Sequence, residues 1–212
     1  MNLFRSFILA IALAPVLFAQ KEDSLMIRKI FSEVLTKGQC YSNLDYLSNS
    51  IGGRLSGSIQ AQKAVEWAAK AMKSAGSDTV FMQECMVPHW VRGEKEVGKI
   101  IVGSKGDVMN ICALGGSVGT PAEGITAPVI EVKSIEDLYK IGTEYIKGKI
   151  VFFNRPFDKT EIDPFNAYGK AIDQRWKGPS IAAKFGAVAT ICRSMTTDIN
   201  DFPHTGSMTY FD

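Results

Sequence analysis

The hydrophobic pattern of this 212-residue chain changes period near Trp90. Before that point, apolar residues recur at three- and four-residue steps, the spacing of one face of a helix. After it, they fall in short continuous runs separated by glycine-rich turns, which is the pattern of short strands. The chain is therefore expected to divide into a first unit of helices ending in one strand and a second unit built from strands with helices between them.

In the first unit, Leu25, Ile27, Ile30, Phe31, Val34 and Leu35 place a helix over Ser24 to Thr36, with Gly38 as its stop. Tyr41 to Ile51 reads as a second short helix, carrying Leu44, Leu47 and Ile51 on one face. The loop Gly52-Gly53-Arg54-Leu55-Ser56-Gly57-Ser58 follows, with Arg54 as an anchor and Ser58 as the cap of a helix from Ile59 to about Ala75. Ala61, Val65, Ala68 and Met72 form the apolar stripe of that helix, and Gly76 ends it. Asp78 to Val87 is rich in β-formers and is expected to be a strand ended by Pro88.

In the second unit, strands are expected over Val97 to Val102, Val108 to Leu114, Ile125 to Val132, Ile150 to Phe153 and Ala187 to Ile191. Ser134 is placed to cap a helix from Ile135 to Ile141, with Glu136 and Asp137 at the positive end of its dipole. Ser180 is expected to cap another helix running through Phe185. The unit reads as a small α/β or β-barrel-like domain.

Residues 1–19 have the form of a signal peptide. Arg5 supplies the positive charge, and Phe7 to Phe18 is a twelve-residue apolar run, shorter than the ~20 residues of a membrane-spanning helix. Cleavage after Ala19 is favoured over cleavage after Ala14, because Pro15 would follow the latter. Export follows, to the periplasm or the outside, with no membrane span after signal removal; a retained anchor is the less favoured alternative. The 24 basic and 22 acidic residues are evenly spread, which gives no support to nucleic-acid binding. Cys40, Cys85, Cys112 and Cys192 form no Cys-x-x-Cys pair and so no thiolate zinc site. Cys112 and Cys192 lie in strand-like runs and read as buried free thiols.

Serine-hydrolase and phosphate-loop chemistry are also excluded by pattern. No Gly-x-Ser-x-Gly surrounds Ser56 or Ser58, and the loop at Gly52 lacks a Lys-Ser/Thr pair. Glu94 and Glu96, beside Arg92, read as solvated. The two histidines, His89 and His204, both follow a proline. His89 reads as part of a stiff aromatic corner between the two units. His204 lies in the polar stretch Asp201 to Met208, a loop of the kind that carries function. Neither has metal-ligand partners at recognisable spacing.

Several of these segments resemble the opening of the carboxypeptidase Q-like enzymes of metallopeptidase family 28. The stretches are Ile51-Gly52-Gly53-Arg54-Leu55-Ser56-Gly57-Ser58, Ala64-Val65-Glu66-Trp67-Ala68 and Met86-Val87-Pro88-His89-Trp90-Val91-Arg92-Gly93-Glu94. They continue through Ala113-Leu114-Gly115-Gly116-Ser117-Val118, Gly148-Lys149-Ile150-Val151-Phe152-Phe153-Asn154, Ala167-Tyr168-Gly169, Gly186-Ala187-Val188-Ala189, Arg193-Ser194 and Pro203-His204-Thr205-Gly206-Ser207-Met208. The resemblance keeps the family's order over nearly all of the chain after residue 19.

The resemblance implies an α/β fold. Residues 20–90 would be the N-terminal helices and first strand of a zinc-exopeptidase domain, and 91–212 an inserted β-rich protease-associated domain. It implies an exported enzyme that hydrolyses dipeptides or short peptides with two zinc ions. The zinc ligands of the family follow the inserted domain, so no metal or catalytic residue is carried onto this chain, and the chain alone is expected to bind no zinc and to be inactive. His204, Thr205 and Gly206 are expected on the substrate side. Partners would be the peptide substrate, the remainder of the catalytic domain and a second copy, since family members are often homodimers. The alternative is a non-catalytic secreted module in which the protease-associated domain binds peptides or protein partners.

Overall fold

The computed structural model describes residues 21–198 and 200–211. The expected signal peptide, residues 1–19, lies outside the described residues. The chain divides into two compact units between His89 and Trp90.

The first unit is helical. Residues 21–37 form α1, α2 spans Cys40–Asp45, and the chain then widens into a π-helical turn over Tyr46–Ile51. The single helix expected over Tyr41 to Ile51 is thus two elements. The wider turn is closed by the Gly52 amide on the Leu47 carbonyl at 3.1 Å, five residues back. Tyr46 stacks on Trp67 with ring centroids 5.4 Å apart. Arg54 anchors the glycine loop as expected, donating from Nη1 to the carbonyls of Leu47 and Gly52. Helix α3 covers Ile59–Ser74, and Ser58 Oγ accepts from the Ala61 amide at 3.1 Å. Gly57 turns the chain at φ +75°, and a Cβ there would sit 3.0 Å from the Cβ of His89. Only glycine combines that dihedral with that approach.

The strand expected over Asp78 to Val87 does not form. The segment makes no backbone ladder, and Phe81, Met82 and Met86 are exposed, Met86 at 99%. β-Propensity expresses itself only against a neighbouring strand, and none of the described residues of this unit offers one.

The second unit holds both sheets. Strands β1 (Gly98–Val102) and β2 (Lys105–Met109) form an antiparallel hairpin across Gly103-Ser104. The tight turn draws β2 forward to Lys105, so most of the strand expected over Val108 to Leu114 is unpaired, and Cys112 lies outside any strand. Strands β3 (Val129–Val132), β4 (Ile150–Phe153) and β5 (Ala189–Cys192) form a parallel sheet in the order β3-β4-β5. Of the run Ile125 to Val132, only the residues after Pro128 are paired, because proline has no amide for the ladder; its carbonyl still accepts from Ile150 at 2.9 Å. The last strand begins at Ala189 rather than Ala187.

Helices α4 (Ile135–Ile141) and α5 (Thr143–Ile146) join β3 to β4. Between β4 and β5 come α6 (Pro164–Ala171), α7 (Asp173–Trp176) and α8 (Gly178–Lys184). Ser134 and Asp137 close a reciprocal capping box on α4, worth about 1 kcal/mol. Ser180 is no cap. The helical backbone continues from α7 through Lys177, Pro179 fixes the first turn of α8, and Ser180 is buried inside it. Its hydroxyl accepts from the Phe211 amide at 2.8 Å.

The core lies in the three-stranded sheet and its covering helices: Val132, Ile135, Leu138, Ile146, Val151, Phe153 and Ala182. Val151 and Phe153 of the central strand are fully buried. Each such side chain contributes roughly 1.5–3 kcal/mol. The mixture of helix and parallel sheet is α/β, but the second unit is not β-rich: more of its described residues are helical than extended. Both sheets are open, which removes the β-barrel-like alternative.

Candidate functional site

The loop 203–206 is held by main-chain and arginine contacts within the second unit. The Gly115 amide donates to the Gly206 carbonyl at 2.7 Å, and the Met208 amide to the Gly115 carbonyl at 2.9 Å. These bonds form a short parallel bridge between Gly115 and Ser207. Beyond it, Tyr210 Oη accepts from the Val118 amide at 3.1 Å, and Trp176 Nε1 donates to Thr209 Oγ1 at 3.1 Å. Trp176 and Phe211 meet edge to face. The stretch from Thr205 to Phe211 is thereby bound to two distant parts of the unit.

Arg92 organises one flank. Its Nη1 donates to Glu96 Oε1 at 2.8 Å, to the Ala113 carbonyl at 2.9 Å and to Cys112 Sγ at 3.0 Å. Its Nη2 reaches Thr205 Oγ1 at 3.3 Å, and the guanidinium lies 5.1 Å from the Trp90 ring centroid. Glu96 also accepts from the Ala113 amide at 2.7 Å. That backbone bond, with Arg92 beside it, holds the Glu96 carboxyl below the usual glutamate range. Glu96 is therefore a structural ion-pair partner and not the freely solvated residue the sequence suggested.

Arg175 forms the opposite flank. Residues on either side of it fix its helix. Gln174, fully buried, accepts from the Arg155 amide and donates to the Arg155 carbonyl, both at 3.2 Å. Arg155 in turn pairs with Asp173. Arg175 itself is 8% exposed. Its Nη1 donates to the Thr205 carbonyl at 3.3 Å, and its Nη2 donates to Tyr168 Oη. Among the described residues, Arg175 has no carboxylate partner, and its Nε has no acceptor. A Cβ on Gly206 would lie 2.5 Å from Arg175 Cζ. Any side chain at position 206 would have to displace the buried guanidinium, whereas the backbone angle there makes no demand for glycine.

The three residues expected on the substrate side are thus neighbours on one held loop. Thr205 is bound on both flanks, donating from Oγ1 to the Ala113 carbonyl at 3.0 Å. Gly206 is half-buried and in the bridge. His204 is exposed, and its amide donates to Ser194 Oγ at 3.2 Å. His89 is exposed as well, in the other unit. Sequence reasoning missed Glu96, Tyr168 and Arg175 as members of this cluster. Their spacing does not connect them to the loop, because Glu96 reaches Ala113 across 17 residues and Arg175 reaches Thr205 across 30.

The cluster can bind and orient groups through main-chain atoms, a threonine hydroxyl and an imidazole. It contains no pairing of a nucleophile with a base. Two zinc ions require several histidine or carboxylate ligands at bonding distance. Among the described residues, no three His, Cys, Asp or Glu gather so as to hold a metal ion, so the residues present do not fit the metal that the resemblance implies. Cys192, at the end of β5, is half-buried, and its partial removal from water pushes its thiol up to about 12. All four cysteines are free.

No protein-family model matches the chain. It is similar to carboxypeptidase Q of Xenopus laevis, at 36% identity over 174 residues, covering 82% of this chain and 35% of that protein. Carboxypeptidase Q of Homo sapiens is 34% identical over 176 residues, covering 83% of this chain and 35% of the human protein. The crystal structure of a peptidase M28 precursor from Shewanella amazonensis SB2B superposes with a TM-score of 0.79 at 29% identity, covering 91% of this chain and 42% of that one. The chain spans about a third of the length of the curated relatives it matches.

Proposed function

This chain belongs to the carboxypeptidase Q-like peptidases of metallopeptidase family 28, and from that premise we propose that it serves an exported zinc exopeptidase acting on dipeptides or short peptides. In this reading, residues 20–90 contribute to the catalytic domain and 91–212 form a protease-associated domain. The two zinc ions are held by residues outside this chain, and the export signal is residues 1–19. The similarity to carboxypeptidase Q over 82% of the chain carries the reading. Among the described residues, no helix is long and apolar enough to cross a membrane.

His204, Thr205 and Gly206 lie on the substrate side. Their part is to bind and orient the peptide: Thr205 and Gly206 keep the main chain fixed, and His204 presents an imidazole that can donate or accept a hydrogen bond. No bond-breaking step is assigned to them.

The test has two arms. The 212-residue chain is expected to hydrolyse no dipeptide and to retain less than stoichiometric zinc after dialysis; zinc-dependent turnover by this chain contradicts the division of labour. In the full-length natural enzyme, His204→Ala is expected to lower kcat/KM about ten-fold, the size of one lost hydrogen bond to a charged group. Unchanged efficiency removes His204 from the substrate side. The alternative reading is a non-catalytic module that binds peptides or protein partners. Peptide binding with no turnover by the longest natural form of the protein would support it.

A further inference from the structure

We propose that Arg175 is a positioning residue for the substrate-side loop: its buried guanidinium, which has no carboxylate partner among the described residues, sets the height of the Thr205–Gly206 main chain and, through it, the place of His204. The proposal rests on the reading of residues 204–206 as substrate-side.

The physical case starts from the cost of burying a cation. An ionised group removed from water needs close compensation, normally a carboxylate. Arg92, on the other flank of the same threonine, has one in Glu96 at 2.8 Å. Arg175 has none among the described residues. What compensates it is the Thr205 carbonyl at 3.3 Å, the Tyr168 hydroxyl and the Tyr168 ring, whose centroid is 5.5 Å from Cζ. The loop carbonyl therefore stands in for a counter-ion. Lifting the loop takes that acceptor away from a charge that water cannot easily reach, so the two hold each other in place.

Sterics set the same height from the other direction. The Gly206 backbone comes so close to the guanidinium that a Cβ would lie 2.5–2.8 Å from Cζ, Nε and Nη2. A side chain at position 206 would therefore lift the loop or displace Arg175, and the loop rises only by giving up the Thr205 carbonyl bond. The helix that carries Arg175 is itself fixed, because Gln174 takes both main-chain groups of Arg155 at the end of β4. A planar fork with several donors suits this place, and a lysine does not, since one ammonium is a point charge without the fork.

The experiment compares Arg175→Gln, Arg175→Lys, Tyr168→Phe and His204→Ala in the full-length natural enzyme, with steady-state kinetics on a dipeptide and thermal unfolding as a check of folding. Arg175→Gln is expected to raise KM about ten-fold with kcat within about two-fold, the mark of lost substrate positioning. Arg175→Lys should fail to restore KM. Tyr168→Phe keeps the ring and removes only the phenol acceptor. It is the mild variant should the arginine changes prevent folding, and it should raise KM about three-fold. If His204→Ala raises KM while Tyr168→Phe and any folded Arg175 variant leave it unchanged, the positioning role is overturned and the substrate-side reading stands. If Arg175→Lys restores KM, charge and not the fork is what matters, and the proposal is likewise wrong. If His204→Ala leaves KM unchanged as well, the substrate-side reading itself fails and the proposal falls with it.

Discussion

The two units of this chain obey the same local rules and end in different states. In the first unit, helix periodicity, the Ser58 cap and the Gly76 stop all act as the sequence suggests. Yet no described residue from 21 to 89 is buried, and Leu25, Ile30, Phe31, Val34, Phe81 and Met86 are exposed. In the second unit, shorter elements enclose a core in which Leu138, Ile146, Val151 and Phe153 have no exposed surface. Local signals specify helices wherever they occur. Burial requires a second layer, and within the described residues only the second unit has one.

The largest test of this contrast is truncation of one apolar side chain in each unit. Phe153→Ala removes a fully buried ring and should cost about 3–5 kcal/mol, enough to abolish cooperative unfolding of the second unit in urea. Met72→Ala, on the half-exposed stripe of α3, should cost less than about 1 kcal/mol. Comparable losses would erase the distinction. Gly206→Ala should come next, at about 1–3 kcal/mol by thermal unfolding, because its methyl group enters the space of the Arg175 guanidinium.

Thiol chemistry sharpens the comparison without altering the backbone. Cys40 and Cys85, exposed in the first unit, should react with an aromatic disulfide reagent in the folded chain. Cys192, half-buried, should react more slowly than either of them until the chain unfolds, since its partial removal from water raises its pKa to about 12. A raised native pKa means that the folded state holds the proton more tightly. The stabilisation from Cys192 is therefore present below the unfolded thiol value of about 8.5 and declines as pH rises from there toward 12. Cys192→Ser should flatten that alkaline decline.

The smallest effect is at acid pH. The Glu96 carboxyl is held below its usual range by the Ala113 amide and by Arg92. Its stabilisation is thus present above the unfolded value of about 4.3 and is lost as pH falls through the lower native value. Glu96→Gln should remove part of the acid slope in unfolding experiments on the second unit and leave neutral-pH behaviour otherwise similar in shape.

What could be read from the sequence follows the range of the interactions involved. Helix α4 with its Ser134 cap and strand β4 at Ile150–Phe153 were legible to the residue, because cap chemistry and a continuous apolar run are local. Helices α6 and α7 were not anticipated. Gly169 and the weak apolar periodicity hid them, although Asp163 before Pro164 is a cap-and-first-turn signal that could have been used. The failed strand at Asp78 to Val87 shows the opposite limit, in which strong propensity lacks a pairing partner. At the candidate site, the loop 204–206 stood out as polar sequence after an apolar strand. Arg175, Tyr168 and Glu96 could not be seen as members of the site, because what ties them to it are the contacts of Glu96 with Ala113 and of Arg175 with Thr205, 17 and 30 residues apart.

Amide hydrogen exchange on the 212-residue chain, resolved by residue, tests the central contrast most directly. Slow exchange is expected for Val151, Phe153, Thr190 and Cys192 of the parallel sheet and for Met208, whose amide bonds the Gly115 carbonyl, with rapid exchange across α1, α2 and α3. Protection of α3 equal to that of β4 would contradict the claim that only the second unit carries a core of its own.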